Sequence, residues 1–247
     1  MRILENIFQI ICEQLLPTSC IACKQFQNAA ICRACLNELI DAALHNYLCC
    51  TQCGITLRVA EIDKQHCIPC QTTQPFFDAT YCLDRYEGLL QHALHELKYQ
   101  KRIAHSFGLA DAWNSIYKEE LNNLPANYLL PVPLSLPKLA HRGFNQSWEI
   151  VKRIHCRSDV QKSPFILQRH HDYGQQAGSD LRRRQLAVKN QFFIAPKYIE
   201  QLQNQTVIVF DDVMTSGATL NEIARILKDN GVSRVINWVL LRATRPI

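Results

Sequence analysis

Val207-Ile-Val-Phe-Asp-Asp-Val-Met-Thr-Ser-Gly-Ala-Thr219 is the stretch that decides the fold of this chain. Its four leading apolar residues predict a buried parallel strand. Asp211 and Asp212 follow at the end of that strand, and Thr215 to Thr219 form a short hydroxyl-rich loop around Gly217. Leu220, Ile223, Ala224 and Leu227 then recur at helical spacing, with Gly231 placed to stop the helix. Ligands of open parallel sheets bind beyond the carboxyl ends of strands. The N–H groups of a helix's first turn lack intrahelical partners, so an anion satisfies them. Gly217 permits close backbone approach, while Thr215, Ser216 and Thr219 add hydroxyl donors. Two carboxylates would repel a phosphate and so belong with another part of the ligand. Ribose hydroxyls, with or without a bridging Mg²⁺, suit them, and the stretch describes a sugar-phosphate site. It is not a P-loop, because no Gly-Lys-Ser/Thr follows, and it lacks the Rossmann glycine spacing. An ordinary N-capped turn explains the helix start but not the whole order of residues.

The first third of the chain carries different chemistry. Of twelve cysteines, eight stand as Cys20-x-x-Cys23, Cys32-x-x-Cys35, Cys50-x-x-Cys53 and Cys67-x-x-Cys70. Each such knuckle presents two thiolates, and two knuckles complete a closed tetrahedral Zn²⁺ site, so about two structural zinc ions are expected. Sequential pairing gives two zinc ribbons, whereas interleaved pairing gives a cross-brace. Cys49 could replace Cys50, though spacing favours Cys50, and His45 and His66 could compete as ligands. Disulfides are the alternative, disfavoured in a reducing cytoplasm. Cys12, Cys82 and Cys156 have no partners at motif spacing and are expected as buried small hydrophobes.

At 247 residues and 47% apolar content the chain can hold one large domain or two unequal ones. The formal net charge of +5 is mild and permits anionic ligands or nucleic acid without demanding either. No apolar run approaches the ~20 residues of a bilayer span. Residues 1–16 read as an amphipathic helix rather than a signal peptide, which favours the cytoplasm. Gln71-Thr-Thr-Gln-Pro75 makes a linker, dividing a cysteine module at 1–75 from a larger domain at 76–247. In that domain Ala79–Tyr86 predicts a strand, Leu89–Lys98 a helix and Ile103–Leu121 a second helix. Tyr128–Pro137 predicts a short strand broken by prolines, and Lys138–Gln146 leads into a helix through Ile154.

The 207–219 stretch closely resembles the signature of type I phosphoribosyltransferases, which bind 5-phosphoribosyl-1-pyrophosphate (PRPP). Pro131-Val-Pro133 with Arg142-Gly-Phe-Asn-Gln146, and Tyr86-x-Gly88 with Leu97-Lys-Tyr99, resemble the ComF/GntX family of phosphoribosyltransferase-like proteins. Its members typically join an N-terminal zinc ribbon to a type I phosphoribosyltransferase domain, an α/β fold with a parallel sheet flanked by helices. The resemblance implies that Asp211 and Asp212 hold the ribose hydroxyls, one through Mg²⁺. It implies that Thr215, Ser216, Gly217, Ala218 and Thr219 cradle the 5′-phosphate. Val132, Pro133 and Leu134 would lie near the pyrophosphate, with Arg142 and Lys98 as candidates to neutralise its charge. Asp211, Asp212 and Arg142 are then the catalytic candidates.

The same resemblance implies a role in competence, the uptake or use of external DNA, with single-stranded DNA or a competence helicase as partner. The activity implied is a PRPP-dependent glycosyl transfer; the alternative is a non-catalytic adaptor that keeps the PRPP fold. Departures fall in Leu167–Asn190, where Arg169, Gln176 and Arg184 match the family but Tyr173, Ser179 and Ala187 replace Thr, Leu and Asn.

Overall fold

Two strands, β1 (Thr18–Ser19) and β2 (Phe26–Gln27), pair antiparallel and carry the first knuckle between them. The computed structural model describes residues 18–170 and 191–243. The N-terminal helix, Cys12, and the expectations for Tyr173, Gln176, Ser179, Arg184 and Ala187 lie outside those residues. Helix α1 (Arg33–Ala42) follows, capped by the Cys32 side chain, and α2 (Ile68–Thr72) closes the second pair of knuckles. Then come β3 (Ala79–Arg85), α3 (Leu90–Tyr99), α4 (His105–Ile116), α5 (Lys118–Asn123) and β4 (Tyr128–Pro131). Helices α6 (Leu136–Arg142) and α7 (Gln146–Val151) lead to β5 (Gln161–Lys162), β6 (Leu167–Arg169) and β7 (Phe192–Ile194). Helix α8 (Ile199–Leu202), β8 (Thr206–Met214), α9 (Ala218–Asp229) and β9 (Arg234–Arg242) complete the order.

Five strands form one sheet in the order β3-β9-β8-β4-β5, and every neighbouring pair is parallel. This is the α/β architecture expected from the sequence. Side chains alternate across a strand, so β8 and β9 divide their apolar residues between two faces. Ile208, Phe210, Ile236, Trp238 and Leu240 join one core with Leu90, Leu94, Leu97, Leu109 and Trp113. Val207, Val209, Val235 and Val239 join a second core with Leu220, Ile223, Ala224 and Leu227. Trp113 anchors the first core, its ring centroid 5.6 Å from Phe210 and 5.4 Å from Trp238. The cysteine-rich segment is split between these faces. Cys20, Ile21, Cys35 and Leu39 belong to the first core, whereas Leu44, Cys50, Cys53 and Cys67 belong to the second.

One expected helix is broken in the structure, and one expected loop holds a helix. The one predicted over 103–121 divides at Tyr117, whose hydroxyl donates to the Cys82 carbonyl at 2.6 Å and whose ring packs 4.7 Å from Trp113. That anchor holds Tyr117 at φ −102°, ψ 27°, outside helical geometry. The helix predicted after Lys138–Gln146 forms as α7, Gln146–Val151, while the stretch expected as a loop holds the short helix α6, which ends at Gly143 with φ 87°. Asn145 caps a new helix by accepting from the Ser147 and Trp148 amides, a local competition that short polar side chains win.

Candidate functional site

Strand β8 runs on through Met214, so the acidic pair sits within its last residues and not after its end. Pairing with β9 explains the extension, since Asp211 stands opposite Val239 and Met214 opposite Arg242. Asp212 faces α3, where its Oδ1 accepts from Lys98 Nζ at 2.8 Å; the two side chains are 6% and 16% exposed. The other oxygen, Oδ2, is buried with no hydrogen-bond partner among the described residues. Burial, and then the adjacent charge of Asp212, push the Asp211 carboxyl up to about 7 against the pull of Lys98 and Lys138. Two neighbouring carboxylates that cannot both ionise easily are a site that gains from a donor or a cation.

The loop after β8 turns at Gly217, which adopts φ 79° and serves as N-cap of α9 without a side chain to satisfy the helix N–H groups. No acidic residue stands in the first turn of α9, so its positive end is left uncompensated. A Cβ at Gly217 would lie 2.6 Å from Met214 Cε, so the turn tolerates no side chain without a shift. Thr215 and Ser216 are exposed, and Ser216 Oγ accepts from the Ala218 amide at 3.3 Å. Ala218 and Thr219 are half-buried.

The pyrophosphate-side candidates stand at the end of β4. The Val132 amide donates to the Phe210 carbonyl at 2.9 Å, and the Val132 carbonyl accepts from Asn145 Nδ2 at 2.9 Å. This fixes the turn through Val132, with Pro133 half-buried beside it. Arg142 is buried, donates to Gln146 Oε1, and lies 5.8 Å over the ring of Tyr99, the residue after Lys98. The structure thus joins Lys98 to Asp212 directly and braces Arg142 between α6, α7 and the end of α3. Lys138 on α6 was missed by the sequence reading, since an exposed lysine on a short helix carries no signal of its own.

A family model described as the phosphoribosyl transferase domain matches residues 166–246, which include the acidic pair and the loop from Thr215 to Thr219. Competence protein F of Haemophilus influenzae is 28% identical over 232 residues, covering 91% of this chain and 96% of its own length. Similarity over nearly the full length of both chains supports the ComF family. The DNA utilization protein YhgH of Escherichia coli O6:H1 is 27% identical over 214 residues, covering 77% of this chain and 89% of its own length. A solved structure of the allosteric regulatory enzyme of purine biosynthesis aligns at 13% identity and a TM-score of 0.36, over 55% of this chain. The chain spans only 26% of that enzyme's length.

Eight cysteines gather as Cys20, Cys23, Cys32 and Cys35, and as Cys50, Cys53, Cys67 and Cys70, the Sγ atoms of each group lying within 4.8 Å of one another. Pairing is therefore sequential. Cys23 and Cys32 stand 3.9 Å apart and Cys53 and Cys67 3.6 Å apart, close to the ~3.8 Å edge of a tetrahedron with Zn–S of about 2.3 Å. All described cysteines are free of disulfides. Both groups can hold zinc, and a closed four-thiolate set makes that metal structural. Cys50, not Cys49, completes the second group; Cys49 donates to the Leu44 carbonyl at 3.6 Å, and burial pushes its thiol up. Hydrogen bonds from Cys53 and then Cys70 hold the Cys50 thiol far below its ordinary range, ready as a ligand. His66 turns away, its Nδ1 2.8 Å from the Lys64 carbonyl. Cys82 is buried and Cys156 half-buried, both pushed up by that burial. Among the described residues no helix is long and apolar enough to cross a membrane.

Proposed function

We propose that this site binds PRPP together with Mg²⁺ and that the protein acts in the uptake or use of external DNA. The reading rests above all on the partnerless Oδ2 of Asp212, which stands one short loop before a helix N-terminus whose N-cap, Gly217, offers no side chain and whose first amide meets only Ser216 Oγ at 3.3 Å. An acceptor without a donor and donors without an acceptor, on one strand–loop–helix unit, suit a ligand with hydroxyls at one end and a phosphate at the other. Asp211 and Asp212 take the ribose hydroxyls, and Thr215 to Thr219 hold the 5′-phosphate. The Val132–Pro133 turn faces the pyrophosphate, with Arg142 and Lys98 supplying positive charge.

Bound Mg²⁺ would supply charge neutralisation on the pyrophosphate. Transfer then breaks the bond from ribose C1 to pyrophosphate through an oxocarbenium-like state, and a nucleophile completes the new glycosidic bond. The chain needs no covalent group for this; it positions the sugar and balances charge. The names of the relatives, a competence protein and a DNA utilization protein, support the biological role. Single-stranded DNA or a competence helicase is the partner we favour, in the cytoplasm, with residues 1–75 and 76–247 as the two sequence units. A second reading, binding of PRPP without turnover, is supported by the family departures at Tyr173, Ser179 and Ala187.

Calorimetric titration of PRPP with Mg²⁺ into the zinc-loaded chain, with ribose 5-phosphate alongside, tests the site. Saturable binding is expected, and Asp211→Asn with Asp212→Asn should abolish it while circular dichroism stays unchanged. Unaltered affinity in that double variant would overturn the assignment. Release of pyrophosphate on adding candidate acceptors separates transfer from binding alone.

A further inference from the structure

Arg242 ends β9 and is buried, 5% exposed. Its Nε donates to the Cys53 carbonyl at 3.0 Å. Its Nη1 donates to the carbonyls of Met214 at 2.9 Å, Thr215 at 2.5 Å and Ala243 at 3.0 Å. One planar guanidinium therefore clasps the Cys50–Cys53 knuckle of the second group on one side and the first residues of the phosphate loop on the other. A lysine could not replace it, because a single ammonium cannot span both sets of carbonyls in a fixed plane. Among the described residues no carboxylate pairs with it, although burying an uncompensated cation is expensive. Four thiolates around one Zn²⁺ leave two formal negative charges, and these stand on the knuckle that Arg242 touches. The charge of Arg242 is felt by the neighbouring Cys49 and Cys82 thiols as well.

The knuckle is itself docked on the sheet. Thr80 Oγ1 donates to the Gln52 carbonyl at 2.5 Å, and the Thr80 amide donates to the Thr51 carbonyl at 3.3 Å. The turn that carries the Cys53 carbonyl is closed by backbone bonds from the Gly54 amide to the Cys50 carbonyl and from the Cys50 amide to the Ile55 carbonyl, both 2.8 Å, and a metal held by Cys50 and Cys53 would brace it further. The first cysteine group makes no comparable bond to the phosphate loop among the described residues.

We propose that Arg242 is a positioning residue that makes the phosphate loop depend on metal in the second cysteine group. Filled, the group fixes the Cys53 carbonyl and supplies the countercharge, and Arg242 then orients Met214 and Thr215. Emptied, it releases one side of the guanidinium and the loop loses its anchor. This inference rests on the ribose-phosphate reading of the loop, which it extends by naming what controls the loop.

The test uses the full chain in four forms: parent, Cys70→Ser, Arg242→Gln, and the two together, each with metal content measured. Two readouts are taken, the affinity for ribose 5-phosphate and the hydrogen exchange of the amides of residues 215–219. Cys70→Ser in the parent should weaken binding by about tenfold, the scale of loss for partners one shell out from a metal site. It should also speed exchange of the loop amides. In Arg242→Gln both changes should already be present, and adding Cys70→Ser should produce little more. Independent, multiplying losses would overturn the proposal, as would loop amides unchanged in Arg242→Gln. If Cys70→Ser unfolds the chain, the comparison is made by withdrawing zinc with a chelator and following loop exchange on the protein that remains folded. If ribose 5-phosphate fails to bind the parent, the ligand reading falls and loop exchange alone decides the role of Arg242.

Discussion

The two cysteine groups share one ligand set and one Cys-x-x-Cys spacing, yet they serve different faces of the sheet. The first leaves Cys23 exposed and Cys32 half-buried, whereas the second buries Cys50, Cys53 and Cys67 and half-buries Cys70. The first reaches the body through Lys24, which pairs with the buried Glu96 of α3 at 2.5 Å; Glu96 also meets His105 and Arg102. Helix α3 is the element whose Lys98 holds Asp212, so this group supports the acid side of the site. The second reaches β8 through Arg242 and supports the phosphate side. Identical ligand chemistry therefore has consequences that depend on what the backbone between the ligands touches.

If burial sets the importance of each group, the largest effect should come from breaking the second. Cys67→Ser should lower the thermal midpoint far more than Cys23→Ser, because structural zinc contributes folding free energy and the second group lies within a core. Equal losses in differential scanning calorimetry would remove the distinction drawn here. Next in size, Lys98→Met should destabilise the chain by about 3–5 kcal/mol, the scale for leaving one charge of a buried pair alone. Adding Asp212→Asn should return most of that loss. Urea unfolding of the three variants measures it, and an undiminished loss in the double variant would mean that Lys98 acts through packing.

Asp211 gives a pH test of the acid side. Its folded carboxyl is raised to about 7, above the unfolded value of about 3.9, so the folded protein holds the proton more tightly. Stability should therefore fall as pH rises from about 4 to about 7, then level off. Asp211→Asn should flatten that fall and leave the variant more stable than the parent at pH 8 while it binds no ribose phosphate. Parallel profiles of midpoint against pH would contradict the assignment. The smallest effect belongs to Lys24→Met. Lysine 24 is 36% exposed, so screening limits its loss to about 1 kcal/mol even though Glu96 is buried. A larger loss would tie the first group to the body more firmly than its exposure implies.

Most of the site was legible because its parts are local. Strand, acidic pair, hydroxyl loop and helix occupy one continuous segment, and their order alone states the chemistry. The cysteine knuckles were legible for the same reason, as ligand spacing within a turn is fixed by the backbone. The break at Tyr117 was not legible, because helical periodicity continues through it, and neither was the short helix α6 ahead of Gly143. Tyr117 leaves the helix to reach a carbonyl on β3, and Asn145 starts a new helix with its own side chain. Arg242 left one faint trace, a charged residue closing the apolar run of β9.

The sequence by itself determined the parallel α/β class, the strand–loop–helix order of residues 207–219 on which the proposed ribose-phosphate site rests, and the eight cysteines of the two groups. Only the tertiary structure decided which knuckles pair, which face each pair covers, that Lys98 meets Asp212, and that Arg242 clasps Cys53 and the phosphate loop together. Secondary structure and ligand spacing depend on residues a few positions apart, whose interactions repeat with a fixed period. The contact from Arg242 to Cys53 joins residues 189 positions apart. It exists because the sheet places the ends of β8 and β9 side by side and the second core seats the knuckle over them.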